Sequence, residues 1–186
     1  MSKYLNKVFI MTREIKAEIG HPLDVMFPTL GVPIEEVKAY VHAYKMHYRE
    51  ISCAKTVLLP DAFAAVELAS QHATLGVVTT KTAKYSIELL EHMGLMGYFD
   101  VLIGREDVEY PKPHPEPILK ALSKLRNDTT KYWMIGDTPM DILAAKAANI
   151  NSVAVTCGYA DEALLLKHTD NVSQSALEAV KFITVL

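Results

Sequence analysis

The stretch Tyr132-Trp133-Met134-Ile135-Gly136-Asp137-Thr138-Pro139-Met140-Asp141 changes character in its middle, and that change sets the fold. Its first four residues form an apolar run too short for a helix. They lack the polar alternation of a half-exposed strand, which is the pattern of a parallel strand covered on both faces. Pro139 fits the first turn of a helix, where an N–H would have no partner anyway. Met140, Leu143, Ala144 and Ala147 then continue at helical spacing. Strand, short polar loop and helix in that order make half of a βαβ unit.

Working outward, the same grammar repeats. Leu75-Gly76-Val77-Val78 is an apolar run followed by a helical pattern from about Thr82 to Met93, stopped at Gly94. Val101-Leu102-Ile103 leads to a helix with Pro117 in its first turn and Ile118, Leu119, Leu122 and Leu125 behind it; Val153-Ala154-Val155 is a fourth run. Regular alternation of this kind predicts an α/β core with a doubly wound parallel sheet. Residues 1–56 read differently. Val37, Tyr40, Val41, Tyr44 and Tyr48 form a helical stripe, and Thr12 to Ile19 predicts a shorter helix ended by Gly20 and Pro22. The expected organisation is a helical accessory domain, 1–56, and an α/β core, 57–186.

Composition narrows the partners. The 186 residues are 50% hydrophobic and 22% charged, a globular balance that excludes disorder. Nineteen basic against 22 acidic side chains leave a net charge of -3, so no basic footprint supports nucleic-acid or membrane binding, and a small molecule or a protein is the expected partner. Two cysteines, Cys53 and Cys157, write neither a disulfide framework nor a zinc site and fit a reducing cytoplasm. No apolar run approaches a membrane span, and the residues after Met1 lack a signal-peptide core.

Ligands of open parallel sheets sit beyond the carboxyl ends of the strands. Thr79, Thr80 and Lys81 follow the first run, Lys112 lies in the loop after the second, and Asp137 and Asp141 follow the third. Each has a plain alternative: a threonine can cap a helix, a lysine between prolines can be a solvated loop residue, and Asp137 or Asp141 can merely favour a helix start. His114 reads as structural or solvent-exposed. Together, hydroxyl, ammonium and carboxylates at one sheet edge suit phosphate held by Lys and Thr, with Mg²⁺ held by carboxylates.

These motifs, in this order, resemble the haloacid dehalogenase-like hydrolases, in particular the phosphoglycolate phosphatase-like branch with a helical cap. Thr79 in Val77-Val78-Thr79-Thr80-Lys81 matches the family's second motif. Lys112 in Lys112-Pro113-His114-Pro115 matches its third, and Gly136, Asp137 and Asp141 match its fourth, Gly-Asp-x-x-x-Asp. The resemblance implies Thr79 and Lys112 as groups stabilising the phosphoryl charge. It makes Asp137 and Asp141 holders of Mg²⁺, and a small phosphorylated metabolite the substrate. It places Thr80 beside the substrate, together with Gly20 and His21 of the cap segment Ile19-Gly20-His21-Pro22-Leu23.

The family's first motif, an apolar strand ending in Asp-x-Asp-Gly-Thr that supplies the nucleophile, has no counterpart: no Asp-x-Asp occurs in the chain. Because that strand lies mid-sheet in the family, its loss would forfeit the burial of about five apolar side chains at roughly 1.5–3 kcal/mol each. Lys7 to Met11 is apolar enough to fill the gap, although the resemblance places it in or just after a cap helix and that reading is favoured; an edge-to-edge homodimer or collapse of the sheet are the other ways to close it. The leading expectation is a Mg²⁺-dependent phosphatase impaired in this form. The alternatives are a non-catalytic relative that binds a phosphorylated metabolite or a protein, and a mutase or dehalogenase on the same fold.

Overall fold

The structure is a computed structural model that describes residues 14–15, 18–125 and 131–185. The chain divides into two compact units, Met1–Ser52 and Cys53–Leu186.

In the first unit a short helix α1 (Leu23–Thr29) precedes a long helix α2 (Val37–Lys55), whose last residues run into the second unit. Tyr40, Tyr44 and Tyr48 stand four residues apart and so share a helix face. Phe27 of α1 meets the Tyr40 and Tyr44 rings edge-on at 5.9 and 6.2 Å, and Tyr44 stacks on Tyr48 at 5.9 Å. The stripe is less enclosed than its spacing suggests, because Tyr44 remains 47% exposed. Glu14 and Ile15 are helical, while Ile19 pairs with His21 in a β-bridge across Gly20, whose φ of 110° suits glycine. The rest of the Thr12–Ile19 helix up to Ala17, and the Lys7–Met11 segment, lie outside the described residues.

The second unit carries the α/β core. Its elements run α3 (Ala62–Ser70), β1 (Gly76–Val78), α4 (Ala83–His92), β2 (Val101–Ile103), α5 (Glu116–Lys124), β3 (Trp133–Gly136), α6 (Pro139–Ala147), β4 (Asn151–Val155), α7 (Glu162–Leu165), β5 (Val172–Ser173) and α8 (Ala176–Val185). Every pairing is parallel: Val78 lies opposite Ile103, Gly136 opposite Ala154, and Ala154 opposite Val172. Both sheet faces are covered, and β4 shows how. Val153 and Val155 pack with Ala179 of α8, whereas Ala154 between them packs with Ile142 of α6 and Leu165 of α7. Period-two alternation sends successive side chains into opposite layers. This is the doubly wound pattern read from the sequence.

Among the described residues the strands form two sheets, β1-β2 and β3-β4-β5. They share one apolar cluster, in which Ile118 of α5 and Ala144 and Ala145 of α6 hold both Val78 of β1 and Met134 of β3. That cluster keeps the two sheets side by side, with the outer edges of β1 and β3 unpaired among the described residues.

Candidate active site

The site begins with Lys112. Its loop is gathered by Glu116 at the start of α5, whose carboxylate accepts the N–H groups of Glu109 at 3.0 Å and Tyr110 at 2.9 Å. The Tyr110 N–H foremost, then that of Glu109, holds the Glu116 carboxyl below the usual carboxylate range. His114 serves the same loop, taking the Glu116 N–H on Nδ1 and lying 4.9 Å from the Tyr110 ring, and it is exposed as well, so both sides of its reading as structural or solvent-exposed apply.

The Lys112 ammonium donates to the Val78 carbonyl at 3.0 Å and to Asp141 Oδ1 at 2.5 Å, with the two side chains only 10% and 6% exposed. The Thr79 N–H reaches across to Ile103 on β2. Neighbouring residues of a strand point their amides to opposite sides, so the Val78 carbonyl belongs to the other edge of β1, which pairs with no strand among the described residues. Lys112 therefore stands at the carboxyl end of that edge and reaches the helix that follows β3. This is the edge at which the sequence placed it.

Asp141 is one turn into α6. Its Oδ2 accepts the Thr138 N–H at 3.0 Å and the Thr138 hydroxyl at 2.7 Å. Gly136 makes room for this, since a Cβ there would fall 2.5 Å from Asp141 Cγ. Both carboxylate oxygens are thus engaged, Oδ1 by Lys112 and Oδ2 by Thr138, at the residue that the family resemblance names as a second holder of Mg²⁺. The reason is position, because the third residue of a helix faces back onto the cap, and here it also faces the ammonium.

Asp137 lies half-buried at the end of β3, with Oδ2 accepting the Tyr159 N–H at 3.1 Å. Thr79 Oγ1 accepts the Lys81 N–H at 3.1 Å, a local turn rather than a cap on α4. The first N–H of α4, from Ala83, already faces both oxygens of Glu106 at 3.0 Å. Thr80 is half-buried on the same turn. The core unit thus brings Lys112 and Asp141 into contact beside the end of β1, with Asp137 one residue past the strand end against which Asp141 lies. Gly20 and His21 belong to the Met1–Ser52 unit. Thr138, Glu116 and the Gly158-Tyr159 turn were not singled out from the sequence, although Thr138-x-x-Asp141 has the spacing of a capping box and was legible as one.

Among the described residues no three His, Cys, Asp or Glu side chains gather as a metal centre. Mg²⁺ is commonly held by one or two carboxylates, waters and substrate phosphate. Asp137 fits as one such ligand, and its Oδ1 has no partner among the described residues.

A family model described as haloacid dehalogenase-like hydrolase matches residues 2–155. The chain is 38% identical over 160 residues to "Probable phosphatase IndB" of Dickeya dadantii, covering 83% of this chain and 70% of that one. It is also 38% identical over 149 residues to phosphoglycolate phosphatase of Salmonella typhimurium, covering 77% of this chain and 58% of that protein, so it spans little more than half of that relative's length. A haloacid dehalogenase-like family hydrolase from Streptococcus pneumoniae superposes with a TM-score of 0.80 at 24% identity, over 92% of this chain and 81% of that one, a likeness of fold. The chain belongs to the haloacid dehalogenase-like hydrolases.

Proposed function

We propose that this chain carries the phosphate-binding machinery of a phosphatase of the phosphoglycolate phosphatase type, acting on a small phosphorylated metabolite. The observation that carries the reading is the Lys112 ammonium, shielded from solvent at the carboxyl edge of β1 and aimed by the Val78 carbonyl and Asp141. A cation fixed in advance stabilises developing phosphoryl charge without reorganising. Thr79 stands at the end of the same strand, where its hydroxyl and the neighbouring backbone suit a second phosphate oxygen. The curated relatives named as phosphatases support the same chemistry.

Asp137 would hold Mg²⁺, which when bound supplies Lewis-acid stabilisation of the phosphoryl group. Asp141 keeps Lys112 in place. Thr80, Gly20 and His21 remain proposed substrate contacts. A covalent acceptor is not among these residues, since no Asp-x-Asp is present. The second reading is a protein that binds the phosphorylated metabolite without turning it over. A cytoplasmic setting suits both readings, with Cys53 and Cys157 as free thiols. No helix among the described residues is long and apolar enough to cross a membrane.

One experiment separates the readings. The 186-residue chain is titrated with inorganic phosphate, followed by ³¹P NMR, and assayed for Mg²⁺-dependent hydrolysis of phosphoglycolate. Expected are phosphate binding that Lys112→Ala abolishes and little or no hydrolysis, with hydrolysis gained when an apolar strand ending in Asp-x-Asp-Gly-Thr is fused ahead of residue 1. No gain despite phosphate binding selects the non-catalytic reading. Phosphate binding indifferent to Lys112→Ala removes the site.

A further inference from the structure

The loop after β4 touches the site without contributing a side chain to it. Gly158 faces Asp137 so closely that a Cβ there would fall 2.5 Å from Asp137 Cγ and closer still to its Cβ and Oδ2. The next N–H, that of Tyr159, donates to Oδ2 at 3.1 Å. Glycine is required here for proximity alone, because Gly158 is absent from the glycines with positive φ. The phenol of Tyr159 has no part in the contact, and the residue is 65% exposed.

The loop is fastened on both sides of this point. Before it, the Thr156 N–H donates to Ser173 on β5 at 3.0 Å, and Cys157 packs on the cluster of Val153, Val155 and Ala179. After it, Asp161 caps α7, accepting the Leu164 N–H on Oδ1 at 2.8 Å. A backbone donor anchored in this way cannot swing aside as a side-chain donor could.

We infer that the Gly158-Tyr159 turn is a positioning element for Asp137, a backbone clamp that occupies Oδ2, fixes the carboxylate's rotation and leaves Oδ1 to a divalent cation. The inference rests on the reading of Asp137 as a cation ligand. Outer-shell hydrogen bonds of this kind change metal affinity by about 10–100-fold when lost. The clamp makes that affinity depend on a glycine that lies beyond α6 and β4 in the sequence, and it makes the identity of the Tyr159 side chain immaterial to the cation.

The test uses Mn²⁺ as the probe, titrated into the full 186-residue chain and followed by its EPR signal, together with amide hydrogen exchange in the metal-free protein. Gly158→Ala should weaken Mn²⁺ binding about 10–100-fold, with an unchanged circular dichroism spectrum. Gly97→Ala, at a glycine whose Cβ would meet nothing within 4 Å, should not weaken it. Tyr159→Pro removes the N–H and should weaken binding as Gly158→Ala does, whereas Tyr159→Ala keeps the N–H and should restore wild-type affinity. Without metal, the Tyr159 amide should be protected in the wild type and lose protection in Asp137→Ala. If Asp137→Asn leaves Mn²⁺ binding intact, or the wild type takes up no Mn²⁺, the reading of Asp137 as a ligand falls, and the inference with it. If Asp137→Asn abolishes binding while Gly158→Ala and Tyr159→Pro do not change it, or if Tyr159 protection survives Asp137→Ala, the clamp alone is overturned.

Discussion

Replacing Lys112 with Met keeps the length and most of the apolar volume of the side chain and removes only the ammonium. The structure sets the size of the effect. Asp141, 6% exposed, would lose its partner at 2.5 Å, and the Val78 carbonyl would lose its donor at the unpaired edge of β1. Removing one member of a buried ion pair costs about 3–5 kcal/mol because the other charge is stranded. Here Thr138 still supplies two hydrogen bonds to Oδ2, which shields part of that charge. The expected cost is therefore at the lower end, about 3 kcal/mol. Urea titration with linear extrapolation measures it, provided the slope is unchanged between variants. Adding Asp141→Asn, which removes the stranded charge and keeps an acceptor for Thr138, should recover about 1–3 kcal/mol of the loss relative to additivity. A cost under about 1 kcal/mol, the range of solvated surface pairs, with strict additivity in the double variant, would refute the account of Lys112 as a buried, oriented cation.

Other substitutions probe the same neighbourhood. Gly136→Ala drives a methyl group into Asp141 and should destabilise by about 1–3 kcal/mol in the same urea assay, with less than additive loss when combined with Lys112→Met. Glu116→Gln tests the brace on the Lys112 loop. The Glu116 carboxyl is held below its ordinary value of 4.5, so its contribution is complete at pH values above that and is lost as pH falls through the depressed value. The stability gap between wild type and Glu116→Gln should accordingly be present at neutral pH and close in acid, and a gap independent of pH would contradict the brace. The edges of β1 and β3, unpaired among the described residues, should make the chain self-associate, visible as a concentration-dependent mass by size-exclusion chromatography with light scattering; a monomer at all concentrations would count against open edges.

The four longer strands were legible because each contains a short, unbroken apolar run, and α5 and α6 because Pro117 and Pro139 mark their first turns. β5 was not, since two residues, Val172 and Ser173, show no period. α1 escaped notice for a physical reason as well: Pro28 lies inside it, one residue before its end, where the missing N–H breaks little of so short a helix. The separation of the strands into two sheets is a matter of pairing between distant segments, which local patterns do not record. At the site, residue type and strand-end position identified Lys112 and Asp137. Which group each aspartate meets was beyond spacing, because a lysine 29 residues away in sequence reaches Asp141 and a backbone turn reaches Asp137.

The Lys112 bridge also bears on how the core comes apart. Its ammonium is bonded on one side to the last residue of β1 and on the other to the helix that follows β3, so it fastens two sheets that exchange no strand-to-strand hydrogen bonds among the described residues. It is a polar link between the halves, beside the apolar cluster around Ile118 that they share. With that link cut in Lys112→Met, the two sheets should open more independently, and hydrogen exchange would show it as a wider spread of opening free energies than in the wild type. A phosphate drawing on the same ammonium would then act on the cohesion of the core as well as on its own site.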